Sequence, residues 1–139
     1  SRFDRKLDEQ LKKIDFVISR VGIMNAMRAY ELIEKAHLPN VRALFASTGV
    51  KGDELSPDYY IRELLLPNAI NTAPLGTIKA FIDSSKECET VELRSDWIEN
   101  FFHFLAANGI DMNVVCDALM DEGLRAFKDA FVEILDELK

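Results

Sequence analysis

The sequence predicts an α/β fold built on parallel strands, and three observations predict it. Long segments repeat apolar residues at the three-to-four-residue spacing of a helix packed on one side. Two short apolar runs, 41–46 and 69–73, lack that spacing and are bounded by turn residues, as buried strands of a parallel sheet are. A helical segment separates the two runs, and strand–helix–strand order implies parallel strands joined by a right-handed crossover.

Residues 4–20 read as a polar helix, with Leu7, Leu11, Ile14 and Ile18 at helical spacing and Asp4 placed to cap it. Residues 21–37 continue in the same style through Val21, Met24, Met27 or Ala26, Tyr30 and Ile33. Gly22 marks either a break or a close contact, and Glu31, Glu34 and Lys35 fall on the outer face. His37, Pro39 and Asn40 end that helix, because proline cannot continue one and asparagine favours turns. The first strand, Val41 to Ala46, runs into a loop from Ser47 to Gly52. Ser56-Pro57-Asp58 opens the next helix, with Pro57 at its first position and Tyr59–Leu66 as its body. Pro67-Asn68 stops it. Ala69 to Ala73 is the second strand, closed by Pro74, and a helix covers Leu75–Ser84. Residues 85–94 form a polar connection. Ser95-Asp96 caps a helix with Trp97, Phe101, Phe104 and Leu105 on one face, and Asn108-Gly109 stops it. Asp111 opens a helix through Met120. A last helix runs from Glu122, striped by Leu124, Phe127, Phe131, Ile134, Leu135 and Leu138.

The 139 residues match one domain, 1–139, and 48% hydrophobic with 29% charged residues excludes a disordered tail, a collagen or a coiled-coil rod. No apolar stretch approaches the ~20 residues of a membrane span, and no basic-then-apolar leader predicts export. Seventeen Lys and Arg against 24 Asp and Glu leave a net charge of −7, with the cations scattered along helices, so no nucleic-acid partner is expected. Cys88 and Cys116 have neither zinc-ligand spacing nor a disulfide framework; reduced thiols in the cytoplasm are expected. A closed barrel of eight strand–helix units takes about 250 residues, and two strands with this much helix cannot cover their own edges. The chain reads as part of something larger.

In parallel α/β architectures, sites lie at the carboxyl ends of the strands. The loop Ser47-Thr48-Gly49-Val50-Lys51 offers two hydroxyls, a glycine that admits a ligand close to the backbone, and an ammonium. This set suits an anion such as a phosphate, and equally an ordinary loop with a solvated lysine. Asn71-Thr72-Ala73-Pro74 either faces a pocket or satisfies the end of the next helix. Arg2 makes most sense as the last residue of a strand, where a guanidinium is a planar partner for phosphate. His37 follows a helix end, and His103 sits among phenylalanines as a core or groove residue. Asp8, Glu9, Asp53, Glu54, Asp121 and Glu122 read as helix-end or surface charge, and Phe127 and Phe131 as packing residues. No nucleophile–base pair and no metal-ligand cluster stands out.

Linked motifs narrow this further. Leu44-Phe45-Ala46-Ser47-Thr48-Gly49-Val50-Lys51, then Tyr60-x-x-Glu63-Leu64, then Asn71-Thr72-x-Pro74 resemble the transaldolase family. Ser1-Arg2-x-Asp4 resembles the end of that family's sixth barrel strand. Asn108-Gly109-Ile110, Leu119, Glu122-Gly123 and Phe127-x-x-Ala130-Phe131 resemble its C-terminal helices. The resemblance runs the length of the chain. It implies the C-terminal portion of a (β/α)8 TIM barrel, from the end of the sixth strand onward. It also implies an enzyme of the pentose phosphate pathway that transfers a dihydroxyacetone unit between sugar phosphates, through a Schiff base on a lysine and without metal or cofactor. By the same resemblance, Arg2 and Ser47 bind the substrate phosphate. Family members with an arginine two residues beyond that serine have their counterpart here in Gly49, so Lys51 is the nearest cation.

The family's Schiff-base lysine lies on its fourth strand and its catalytic carboxylates on the first and third, all before Ser1. None of Lys6, Lys12, Lys13, Lys35, Lys51, Lys79, Lys86, Lys128 and Lys139 sits inside an apolar strand, where desolvation would lower an amine's pKa. The segment is thus expected to be inactive alone and to complete a site with the N-terminal part of the barrel. Two other readings stand beside this one. The chain is a non-catalytic half-barrel that pairs its open edge with another chain, or Lys51 is a relocated Schiff-base lysine.

Overall fold

The computed structural model describes residues 1–85 and 87–138; Lys86 and Lys139 lie outside them. Among the described residues six helices and two short strands follow one another. They are α1 (Arg2–Lys13), α2 (Val21–Lys35), β1 (Leu44–Phe45), α3 (Tyr59–Glu63), β2 (Ile70–Asn71), α4 (Leu75–Asp83), α5 (Ser95–Ala107) and α6 (Met112–Glu137). The strands pair in parallel, Leu44 opposite Ile70 and Phe45 opposite Asn71. The expected α/β character and parallel crossover are therefore present.

The core lies between the sheet and the helices. Leu7 and Leu11 of α1, Val21, Ile23, Met24, Met27 and Tyr30 of α2, Phe45 of β1, and Ile98, Phe101 and Leu105 of α5 are all buried in it. One face of the sheet meets this core and the other is bare. The register partners Leu44 and Ile70, 54% and 42% exposed, share the bare face. Both strands were expected to be buried and five or six residues long. They pair for two residues each, because the described residues place no further strand beside them.

Several boundaries differ from the sequence expectation, each for a tertiary reason. α1 begins at Arg2 rather than Asp4, with Ser1 as its N-cap. Asp4 closes a capping box from the third position, so Arg2 is helical and not a strand end. α1 also stops at Lys13 instead of reaching residue 20. Asp15 and Ser19 turn into the left-handed region (φ 51° and 58°), and Asp8 accepts from the Ser19 amide and hydroxyl at 2.9 and 3.1 Å. Ile18 is consequently exposed, while Phe16 stacks on Phe104 with ring centres 3.9 Å apart. α3 starts at Tyr59, beyond Pro57, and ends at Glu63. Ser95 is not a cap: it is the first residue of α5, and its hydroxyl donates to Glu31 of α2. That contact, with the Lys35–Glu31 ion pair at 2.8 Å, turns Glu31 inward from its expected outer face. On α5 the buried face is Ile98, Phe101 and Leu105, whereas Trp97, Phe104 and His103 are exposed.

The last two expected helices are one. Asp111 caps α6 by accepting from the Asn113 amide at 2.8 Å, and the helix continues through Asp121 and Glu122 to Glu137. Its apolar stripe packs on nothing among the described residues: Phe127 is 79% exposed and Phe131 62%, so neither is a packing residue within this chain.

Candidate functional site

Both strands end in residues that tie them together. The Thr72 amide donates to the Phe45 carbonyl at 3.0 Å, and the Thr48 amide and hydroxyl both donate to the Thr72 carbonyl at 3.0 Å. Ser47 lies between them with φ 58°. A left-handed serine costs about 1 kcal/mol or more, and the hydrogen bond that the Ser47 amide donates to the Thr72 hydroxyl at 3.3 Å helps hold it there. The turn brings Gly49 against Pro74, where a Cβ would stand 3.0 Å from the proline ring, so the loop closes tightly over the start of α4. The asparagine–threonine pair of the second strand thus satisfies backbone. Asn71 donates to the Leu64 carbonyl at 3.0 Å, and its side-chain oxygen is buried without a partner.

A cavity of about 440 Å³ opens at these strand ends, between the loop and the start of α1. Arg2, Ser47 and Lys51 all line it. The three candidate residues, 49 positions apart at the extremes of the chain order Arg2 to Lys51, therefore share one wall-to-wall space. Arg5, Asp4, Asp8, Glu54 and Tyr60 complete much of the lining. Two of the carboxylates are engaged: Asp8 holds Ser19, and Asp4 holds three groups at once.

Asp4 is the most buried charged side chain of the site. It is 3% exposed, and its carboxylate accepts from the Ser1 nitrogen at 3.0 Å, the Gly22 amide at 3.0 Å and the Tyr60 hydroxyl at 2.8 Å. Burial pushes its carboxyl up, but the bonds from Gly22, Ser1 and Tyr60 together outweigh burial and hold it below the usual carboxylate range. The same burial, with the bond to Asp4, pushes the Tyr60 hydroxyl far up and keeps it protonated. Gly22 is a close contact and no break: a Cβ there would lie 2.1 Å from the Ser1 hydroxyl. This knot joins α1, α2 and α3 directly behind Arg2. Tyr60 and Ser47 also border a second, more apolar cavity of about 340 Å³ beneath β1.

Sequence reasoning missed Asp4 and Tyr60 as parts of the site. The Ser-x-x-Asp spacing of a capping box was legible at residues 1–4; nothing local marks Tyr60 as the partner of a residue 56 positions away. Among the described residues no group of three or more His, Cys, Asp or Glu is placed to hold a metal ion. No helix among them is long and apolar enough to cross a membrane.

Parallel strands with a cavity at their carboxyl ends, lined by Arg2, Arg5 and Lys51 and equally by Asp4, Asp8 and Glu54, have the form of a ligand-site region of an α/β protein. The chain belongs to the Transaldolase/Fructose-6-phosphate aldolase family, whose profile matches residues 1–138. It is 43% identical to a transaldolase of Campylobacter jejuni subsp. doylei and 40% identical to one of Helicobacter pylori. These alignments cover 99% and 97% of this chain and 40% and 42% of those proteins. The chain thus spans about two fifths of the length of the curated relatives it matches.

Proposed function

We infer that the chain is the C-terminal part of a (β/α)8 barrel transaldolase, from the end of the sixth strand onward, and that it supplies the phosphate end of the substrate site. The observation that carries this reading is the single cavity shared by Arg2, Ser47 and Lys51 at the carboxyl ends of two parallel strands. In this reading the guanidinium of Arg2 and the ammonium of Lys51 hold a sugar phosphate from two sides, and the Ser47 hydroxyl donates to it. The fixed phosphate orients the carbonyl of a ketose phosphate such as fructose 6-phosphate or sedoheptulose 7-phosphate toward a Schiff-base lysine outside these residues. That lysine passes a dihydroxyacetone unit to an aldose phosphate (glyceraldehyde 3-phosphate or erythrose 4-phosphate). In this reading the protein works in the cytoplasm, in the pentose phosphate pathway. The bare sheet face and α6 stripe suit both an enzyme completed by its N-terminal strands and a non-catalytic assembly module; the cavity favours the enzyme.

Lys51 binds phosphate in this reading and is no nucleophile, because it is exposed on a loop and not set inside an apolar strand. The test is borohydride reduction of the full-length protein in the presence of fructose 6-phosphate, followed by peptide mass mapping. The expected adduct lies on a lysine outside residues 1–139. An adduct on Lys51 overturns the assignment of the nucleophile, and no adduct together with no transfer activity favours the assembly module.

A further inference from the structure

One glycine has no role in a turn. Gly123 lies in the middle of α6, where glycine is a poor helix former, and it is buried although the helix around it is largely exposed. What covers it is Arg2: a Cβ at position 123 would stand 2.8 Å from Nη1 of Arg2 and 4.0 Å from its Cζ. The guanidinium therefore points Nη1 end-on at the bare backbone of Gly123. The next residue back, Glu122, takes Lys6, one helical turn beyond Arg2 on α1. Arg2, Arg5, Lys6, Leu119 and Glu122 line one cleft between the two helices. Arg2 borders both this cleft and the cavity that holds Ser47 and Lys51.

We propose that Gly123 is a positioning residue for Arg2: the missing side chain forms the seat from which the guanidinium faces Ser47 and Lys51, making α6 a structural part of the anion site. This rests on the reading of Arg2 as a phosphate ligand. A side chain at 123 meets only the mobile end of Arg2, so the substitution displaces the guanidinium without breaking the core. The conflict is specific. Alanine improves the helix and worsens the site.

The test uses full-length protein carrying Gly123→Ala, Arg2→Ala, or both, assayed with fructose 6-phosphate and with unphosphorylated fructose. For Gly123→Ala the expected result is a KM for fructose 6-phosphate raised roughly three- to tenfold, as for a weakened charge-assisted contact. Its kcat stays within about twofold, activity on fructose is unchanged, and the melting temperature is equal or higher. In the Arg2→Ala background the same substitution adds nothing, since its target is gone. An unchanged KM beside a raised KM for Arg2→Ala overturns the proposal and leaves the phosphate site standing. Loss of folded protein, or an effect that persists without Arg2, overturns it as well by assigning Gly123 to packing. Failure of Arg2→Ala itself to raise KM removes the phosphate reading, and the seat with it.

Discussion

Arg2 shows how much rests on one side chain. Its neighbour Ser1 caps α1, Asp4 anchors that cap, and its own guanidinium lies on α6 beside the cavity. Replacing it by alanine in the full-length protein removes a charge-assisted phosphate contact and leaves the capping box whole. The expected outcome is a rise in KM for phosphorylated substrates of roughly tenfold or more, with activity on unphosphorylated sugar unchanged. Steady-state kinetics on both substrates checks this, and equal kinetics on both removes Arg2 from the site. Ser47 makes a second point at the same level. Its positive φ is a strain that its position between two paired strand ends imposes, and Ser47→Gly is expected to relieve it by about 1 kcal/mol while losing the hydroxyl. Chemical denaturation then reports a gain in stability and kinetics a loss in phosphate affinity.

Among the elements, α1, α2 and α3 are joined by the Asp4 knot. Asp4→Asn keeps the size but replaces one carboxylate oxygen by an NH₂: with the remaining oxygen kept for the Gly22 amide, the NH₂ stands where the Ser1 nitrogen and the Tyr60 hydroxyl both donate. A cost of about 2–3 kcal/mol is expected for the buried groups left unsatisfied. The pH dependence follows from the sign of the shift. A carboxyl held below its ordinary value of 3.8 stabilises the fold at every pH above that value, and this contribution is lost as pH falls through the lower folded value. Asp4→Asn is therefore expected to lower stability near neutrality and to flatten its decline in acid, as measured by urea unfolding across the acid range. An unchanged acid limb assigns that decline to other carboxylates.

For the molecule as a unit, the exposed apolar faces dominate. Leu44 and Ile70 stand bare on one side of the sheet, and Phe127 and Phe131 on α6. Burying each such side chain is worth about 1.5–3 kcal/mol, so these faces favour a partner surface. The 139-residue chain alone is expected to self-associate in sedimentation velocity, and the amides of the second half of α6 to exchange rapidly. In a polypeptide of the relatives' full length the same amides are expected to be protected. A monomeric chain with protected α6 amides shows instead that these faces need no cover.

Local spacing in the sequence was enough for the α/β order, the parallel pairing, the two strand-end loops, the family, and Arg2, Ser47 and Lys51 as candidates, because periodicity and short motifs are written in neighbouring residues. Residues far apart decided the rest. Phe16 stacks on Phe104 beyond the turn at Asp15, and the Ser95 hydroxyl bonds Glu31 of α2 from the first residue of α5 instead of capping that helix. The meeting of Arg2 with Gly123 and of Asp4 with Tyr60 has no local signature at all. Such contacts depend on which helices pack together, and that is settled by burial of the whole core rather than by any window along the chain.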